Sequence, residues 1–268
     1  DHTDVMACRQ TGFAMLCSGS VQEVMDLAAV AHLAAIKGRV PFLHFFDGFR
    51  TSHEIQKVEC TDYDELAKLV DYDALAEFRK SALNPEHPVV RGTAQNPDIF
   101  MQGCEARNRF YDALPEVVEE YMEKVSTMTG RDYKLFNYYG DPQAERVIIA
   151  MGSVCDAAKE TIDYMMAKGE KVGLVQIHLY RPFKEDAFLA AIPETATKIA
   201  VLDRDKENGA IGEPVYLDVL AAYYRAGKQA TIVGGRYGLG SKDVTPSQII
   251  SVFENLKLDA PKNNFTIG

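Results

Sequence analysis

The sequence contains no apolar run near the roughly 18 residues that a membrane-spanning helix requires. It also contains no CxxC pair. Its five cysteines, Cys8, Cys17, Cys60, Cys104 and Cys155, stand at long, irregular intervals. An iron–sulfur cluster draws on four thiolates, some of them closely spaced, and a structural zinc site has a similar need, so neither metal is expected in this chain alone. An odd number of cysteines without a secretory leader fits reduced thiols and a cytoplasmic setting. Positive charge is in deficit: 29 Lys+Arg stand against 39 Asp+Glu, a net charge of -10. That argues against nonspecific nucleic-acid binding, which depends on neutralising phosphates. The glycine patterns GxGxxG and GxxxxGKS/T, which cradle phosphates, are missing as well. The chain starts at Asp1 with no initiator methionine, signal peptide or capped leading element, and so reads as opening in mid-structure.

What is present is the pattern of an α/β protein. The 268 residues are enough for two modest domains, and 47% apolar content is ordinary for a packed core. Ser20 and Glu23 have the spacing of a capping box. Val21, Val24, Met25, Ala28, Ala31, His32 and Ala35 then recur at helical spacing, with Gly38 as the expected stop. The run Val40–Phe46 reads as a buried parallel strand. Residues 47–54, DGFRTSHE, would then follow the carboxyl end of a strand, where ligands of α/β folds gather. Short helices are expected over Tyr63–Val70 and Tyr72–Ser81. Residues 84–110 show no period and read as a wrapping or interface loop. Leu114, Val117, Val118, Tyr121, Met122 and Val125 mark an amphipathic helix closing at Gly130.

Beyond about Arg131, strand and helix patterns alternate. Strands are expected at Arg146–Met151, Val172–His178, Lys198–Asp203 and Ala230–Gly234. Helices are expected at Val154–Lys168, Lys184–Ala191, Glu213–Ala226 and Pro246–Asn255, with Ser153 and Thr245 as N-caps. Four such units in succession predict a doubly wound parallel sheet. The change of texture divides the chain into 1–131 and 132–268. Each part is expected to own its sheet, with few backbone hydrogen bonds crossing between them.

Several long runs carry a family resemblance. DHTDVMACRQTGFAMLCSGSVQEVMDLAAVAHLAAI and VPFLHFFDGFRTSHE resemble the back part of the pyrimidine-binding domain of pyruvate:ferredoxin (flavodoxin) oxidoreductases, which use thiamine diphosphate. NPEHPVVRGTAQNPDIF is similar to that family's connecting segment. ERVIIAMGSVCD, VQIHLYRPF, VLDRDKENGAIGEP and GGRYGLGSKDVTP resemble the domain that follows, itself similar to the carboxyl-terminal domain of transketolase.

The resemblance implies a parent enzyme that converts pyruvate and coenzyme A into acetyl-CoA, carbon dioxide and two electrons for ferredoxin or flavodoxin. It implies thiamine diphosphate, Mg and 4Fe-4S clusters in that parent, a homodimer, and contact with ferredoxin or flavodoxin through other domains. The family's activating glutamate and substrate-anchoring threonine and arginine match positions before Asp1. Its diphosphate-binding domain and cluster cysteines follow Gly268. No cofactor and no catalytic residue is therefore expected in this chain, whose role reads as scaffold and interface for the remaining domains. Two further readings are a related oxidoreductase for 2-oxoglutarate or a branched 2-oxoacid, and a noncatalytic assembly module.

Candidate site residues fall into four groups, each with a structural alternative. Asp1, His2, Arg9, Gln10 and Thr11 resemble the substrate-facing loop region. Arg9 would hold a carboxylate or phosphate there, or make an internal ion pair that orders the loop. Asp47, Arg50, Thr51, His53 and Glu54 follow the expected strand. A His beside a Glu can shuttle protons, but such residues also cap elements or meet neighbouring domains, and Asp47 and Arg50 have the spacing of an ion pair across a turn. Gly152 and Ser153 open a helix, whose N-terminus favours anions, or form a tight capped turn. Asp203, Arg204, Arg236 and Lys242 lie at or beyond strand ends. The basic residues would take a phosphate or coenzyme A tail, or pair with Asp203 or Asp205. Gly235, Gly238 and Gly240 are expected to permit positive φ. His178, Tyr180 and Arg181 read as strand-end structure.

Overall fold

Ser20 starts the first long helix, as its sequence predicts. The computed structural model describes residues 1–90 and 92–268; Arg91, within the expected loop 84–110, lies outside the described residues. The chain opens with α1 (Thr3–Ala7), β1 (Ala14–Ser18), α2 (Val21–Gly38) and β2 (Phe42–Phe46). Ser20 Oγ accepts the N–H of Glu23 at 3.2 Å. The return arm of the capping box reaches one residue further back, where Glu23 Oε2 accepts the N–H of Gly19 at 2.5 Å. The end of α2 differs from expectation. Gly38 is its last helical residue, and Arg39 takes the left-handed turn at φ 59. Gly38 is there for space, since a Cβ at this position would lie 2.4 Å from Leu114 Cδ1.

β2 is also shorter and less buried than the run from Val40 predicted. Only Phe45 is buried, because β2 is the edge of its sheet and pairs on one side, in parallel, with β1. Next come α3 (Tyr63–Lys68), α4 (Tyr72–Lys80), α5 (Pro97–Glu105) and α6 (Asn108–Thr129). The segment expected to be irregular thus contains α5, opened by a proline at its first turn, and the start of α6. Gly130 closes α6 at φ 73, and Leu114, Val118, Tyr121, Met122 and Val125 are buried along it.

The second half holds β3 (Phe136–Gly140), β4 (Arg146–Ala150), α7 (Val154–Met166), β5 (Val172–Ile177), β6 (Leu179–Arg181) and α8 (Glu185–Ala190). It continues with β7 (Lys198–Asp203), α9 (Pro214–Arg225), β8 (Thr231–Arg236), α10 (Pro246–Lys257) and β9 (Phe265–Thr266). The six-stranded sheet runs in the order β3-β5-β4-β7-β8-β9. Its pairs are parallel except β3 on β5, an antiparallel edge that the sequence pattern did not reveal. Period-two alternation sorts the strand side chains. Ile148 and Ala150 pack with residues of α7 and α10, whereas Val147 and Ile149 join the core containing α8 and α9. The α/β, doubly wound reading therefore describes this half.

Two separate sheets are present, but the expectation that each half owns its sheet is corrected for one strand. β6 leaves the second half and pairs antiparallel with β1, giving a three-stranded sheet β2-β1-β6. Further backbone bonds cross the same way, from His2 N to Arg204 O and from Cys17 N to His178 O, both at 2.8 Å. The cause is the burial of β1. All five of its residues are buried, so both of its edges need hydrogen-bonding partners, and β2 covers only one. The same core cluster then runs from α2 and α6 into β4, β7 and α9. For the α2 cap, Ser20→Ala is expected to cost about 0.5–2 kcal/mol. A urea midpoint that drops with unchanged slope confirms it; an unmoved midpoint removes the cap from the account.

Candidate functional site

An open α/β sheet forms a crevice outside the carboxyl ends of its strands, where the chain switches direction. Here that point lies between β4, which turns through Gly152 and Ser153 into α7, and β7, which leads through Arg204 toward α9. A carboxylate from the first half fills it. Asp47 follows β2 and is fully buried. Its Oδ2 accepts from Ser153 N at 2.9 Å and from Ser153 Oγ at 2.5 Å. Arg204 Nη1 lies 2.8 Å from the same oxygen, and His2 Nε2 lies 2.5 Å from Oδ1. Gly152, at φ +83, makes the approach possible: a Cβ there would come within 2.7 Å of Asp47 Oδ1. Burial pushes the Asp47 carboxyl upward. The bonds from His2 and Ser153 and the charge of Arg204 outweigh this and hold it well below the usual range.

This arrangement revises two expectations. Ser153 makes no side-chain cap on α7; its hydroxyl donates to Asp47, so the anion at this helix start is the protein's own. Asp47 does not pair with Arg50. Asp47 is drawn into the crevice, while the turn after it delivers Arg50 to Asp243 and to Ser241 O, the latter at 2.9 Å. Above them lies a shallow cleft of about 160 Å³, lined among others by Arg50, Glu54, Ser153, Arg204, Lys242 and Asp243. The structure therefore gathers Arg50, Ser153 and Lys242 in one place.

The other candidates lie elsewhere. Arg9 donates to Met6 O at 2.8 Å and to Glu207 at 3.0 Å, and Gln10 and Thr11 are exposed. Arg236 faces Glu213 at 3.4 Å and bonds to Asn264. Thr51 is buried, whereas His53 and Glu54 are exposed and bonded to Ser52 and Gln56 rather than to each other. Asp203, expected opposite a basic residue, instead accepts the N–H groups of Val215 at 3.0 Å and Tyr216 at 3.1 Å at the start of α9. Burial raises its pKa to about 7 against these two bonds. Gly238 and Gly240 have φ of 63 and 60; Gly235 does not, and serves instead to let the Phe265 ring approach.

A second carboxylate escaped the sequence reading. Glu23 appeared only as a capping partner, yet it is also bound to the second half. Gln176 Nε2 lies 3.1 Å from its Oε1, and His178 Nε2 lies 3.4 Å from its Oε2. Burial pushes the Glu23 carboxyl up, but the His178 contact and the Gly19 N–H outweigh this and bring it to about 2. Asp26, the third, accepts from Arg131 Nε and Tyr133 Oη, each at 2.6 Å. Nothing in an SxxE spacing or an internal helix Asp signals partners more than 100 positions away.

Residues 1–123 match the family model described as pyruvate flavodoxin/ferredoxin oxidoreductase, thiamine diP-bdg, and residues 144–249 match that of pyruvate:ferredoxin oxidoreductase core domain II. The chain belongs to the pyruvate:ferredoxin (flavodoxin) oxidoreductase family. It is 62% identical to the pyruvate-flavodoxin oxidoreductase of Enterobacter agglomerans and 59% identical to the pyruvate:ferredoxin oxidoreductase of Moorella thermoacetica. Each match covers 100% of this chain but only 23% of the relative. A solved structure of a 2-oxoglutarate:ferredoxin oxidoreductase from Magnetococcus marinus superposes with a TM-score of 0.57 at 16% identity, covering 96% of this chain and 45% of that one. That likeness shows the fold.

In the cleft of this oxidoreductase segment, two of the three basic residues are already committed. Arg204 and Arg50 are already neutralised by Asp47 and Asp243. Among the described residues, no three His, Cys, Asp or Glu side chains converge as a metal set that could bridge a diphosphate. What the cluster does is hold the two family segments together. Asp47→Asn is expected to cost about 3–5 kcal/mol, because Arg204 then remains buried without its counter-charge. A urea midpoint within error of wild type would contradict this.

Acid should weaken the same joint. Glu23 has a folded pKa of about 2 against the ordinary 4.5, so its contribution is complete above about pH 4.5 and lost as pH falls through 2. The effect is up to about 3 kcal/mol. Urea midpoints at pH 5 and pH 2.5 should therefore differ less in Glu23→Gln than in wild type; an equal difference in the two proteins would exclude Glu23 as a source of acid sensitivity.

Proposed function

We propose that this chain is a structural joint within a thiamine-diphosphate-dependent pyruvate:ferredoxin (flavodoxin) oxidoreductase. That enzyme oxidatively decarboxylates pyruvate with coenzyme A to acetyl-CoA and carbon dioxide, passing two electrons to ferredoxin or flavodoxin. Residues 1–131 would form the back of the pyrimidine-binding domain with its connecting segment, and 132–268 the core domain that follows. The observation that carries the reading is Asp47, whose four polar contacts consume the ligand crevice of the second segment to fasten the first. A site spent in this way serves assembly rather than turnover.

Pyruvate is favoured as the substrate by the 62% and 59% identities to pyruvate enzymes. The 2-oxoglutarate enzyme supports the fold alone at 16% identity and so does not compete. Magnesium and 4Fe-4S clusters would be held by other domains of the same cytoplasmic, homodimeric enzyme, which would also receive ferredoxin or flavodoxin. The test is direct. Purified 1–268, given pyruvate, coenzyme A, magnesium and thiamine diphosphate, should reduce no viologen dye and give no thiamine-diphosphate binding heat. Pyruvate-dependent dye reduction by this chain would overturn the structural role.

A further inference from the structure

From Ser52 to Ala113 not one described residue is buried. Three helices lie in this stretch, α3, α4 and α5, of 6, 9 and 9 residues, and none buries a side chain. Helices so short are marginal in water, because nucleation is costly and their stability comes from packing an apolar face. The stretch is not polar enough to be left in solvent. Tyr72 and Phe78 on α4, and Ile99, Phe100 and Met101 on α5, are each more than half exposed. An apolar groove of about 370 Å³ opens between α2 and α4, lined by His32, Ile36, Val40, Leu75 and Phe78 among others. An apolar groove flanked by exposed aromatic side chains marks an interaction site.

Charge indicates what covers it. Residues 54–107 carry eleven Asp and Glu against six Lys and Arg. A second copy docking by the same face would set acidic rim against acidic rim, and like charges across an interface are costly. The curated relatives supply another source of surface, since this chain accounts for only 23% of their length. We propose that the apolar side of α4 with the groove beside α2, and the exposed apolar residues of α5, dock on the remaining domains of the same polypeptide. The contacting patch on those domains is apolar and rimmed by Lys and Arg. The inference rests on the chain being a segment of the longer oxidoreductase.

Hydrogen exchange on the full-length polypeptide tests it, followed in peptides covering residues 72–80 and 97–105. Docked helices should exchange ~100-fold or more slowly than the same peptides free in solution, at concentrations above and below dimer dissociation. Smaller protection overturns the proposal, and so does protection that vanishes on dilution, which would assign the face to a second copy. Phe100→Asp in the full-length protein should speed exchange in 97–105 by ~10-fold or more; no change overturns the role of α5. If that variant fails to fold, the wild-type exchange still decides. Pyruvate-dependent dye reduction in the same preparation separates the two readings: protected helices without activity would keep the docking surface and refute the proposed function.

Discussion

The buried carboxylate of Asp47 is the constraint on which the arrangement of this molecule depends. A charge removed from water is tolerable only when its partners are in place. Here the partners come from three separate parts of the chain: His2 before α1, Ser153 at the head of α7, and Arg204 beyond β7. Each is held by its own element, so the ion cluster can form in one relative placement of those elements only. Arg204 extends the network by donating through Nε to Gly238 O at 3.1 Å, tying in the loop after β8.

Glu23 and Asp26 repeat the device along α2. One faces Gln176 and His178, and the other faces Arg131 and Tyr133. The three acids lie around a core that passes without interruption from α2 and α6 to the six-stranded sheet. The two segments matched by separate family models are thus joined by buried or nearly buried carboxylates and by apolar packing. The joint is tight enough that a methyl group on Gly152 would strike Asp47, and α2 packs on α6 so closely that one on Gly38 would strike Leu114.

Much of this was legible in the residues because it is local. The Ser20 start, the Gly130 stop, and the alternation of apolar runs with capped helices after Arg131 all depend on neighbours within a turn or two, and the corresponding elements of the second half lie within two residues of their expected bounds. The family runs also reported the α/β class correctly. What could not be read is non-local. Leu179–Arg181 looks like the tail of the strand before it, yet it serves another sheet, because the choice is made by the bare edge of β1. Asp47 and Arg50 have the spacing of a pair, but burial of one and the reach of the other send them to Arg204 and Asp243. Among the candidate positions, Arg50, Ser153 and Lys242 converge on one cleft while Arg9 and Arg236 do not, a fact of strand order that no single motif encodes.

The pairing of β1 with β6 also dictates an order of events during synthesis. A chain emerging from the ribosome presents Ala14–Ser18 long before Leu179–Arg181 exists. Among residues 1–178, β2 is the strand that pairs with β1, so the edge of β1 that meets Leu179–Arg181 waits for those residues to be made. Closing so long a loop is entropically slow. The amino-terminal segment is consequently a client that waits for its own downstream sequence, and stalled or prematurely terminated chains would expose a sticky, half-built sheet to chaperones and proteases.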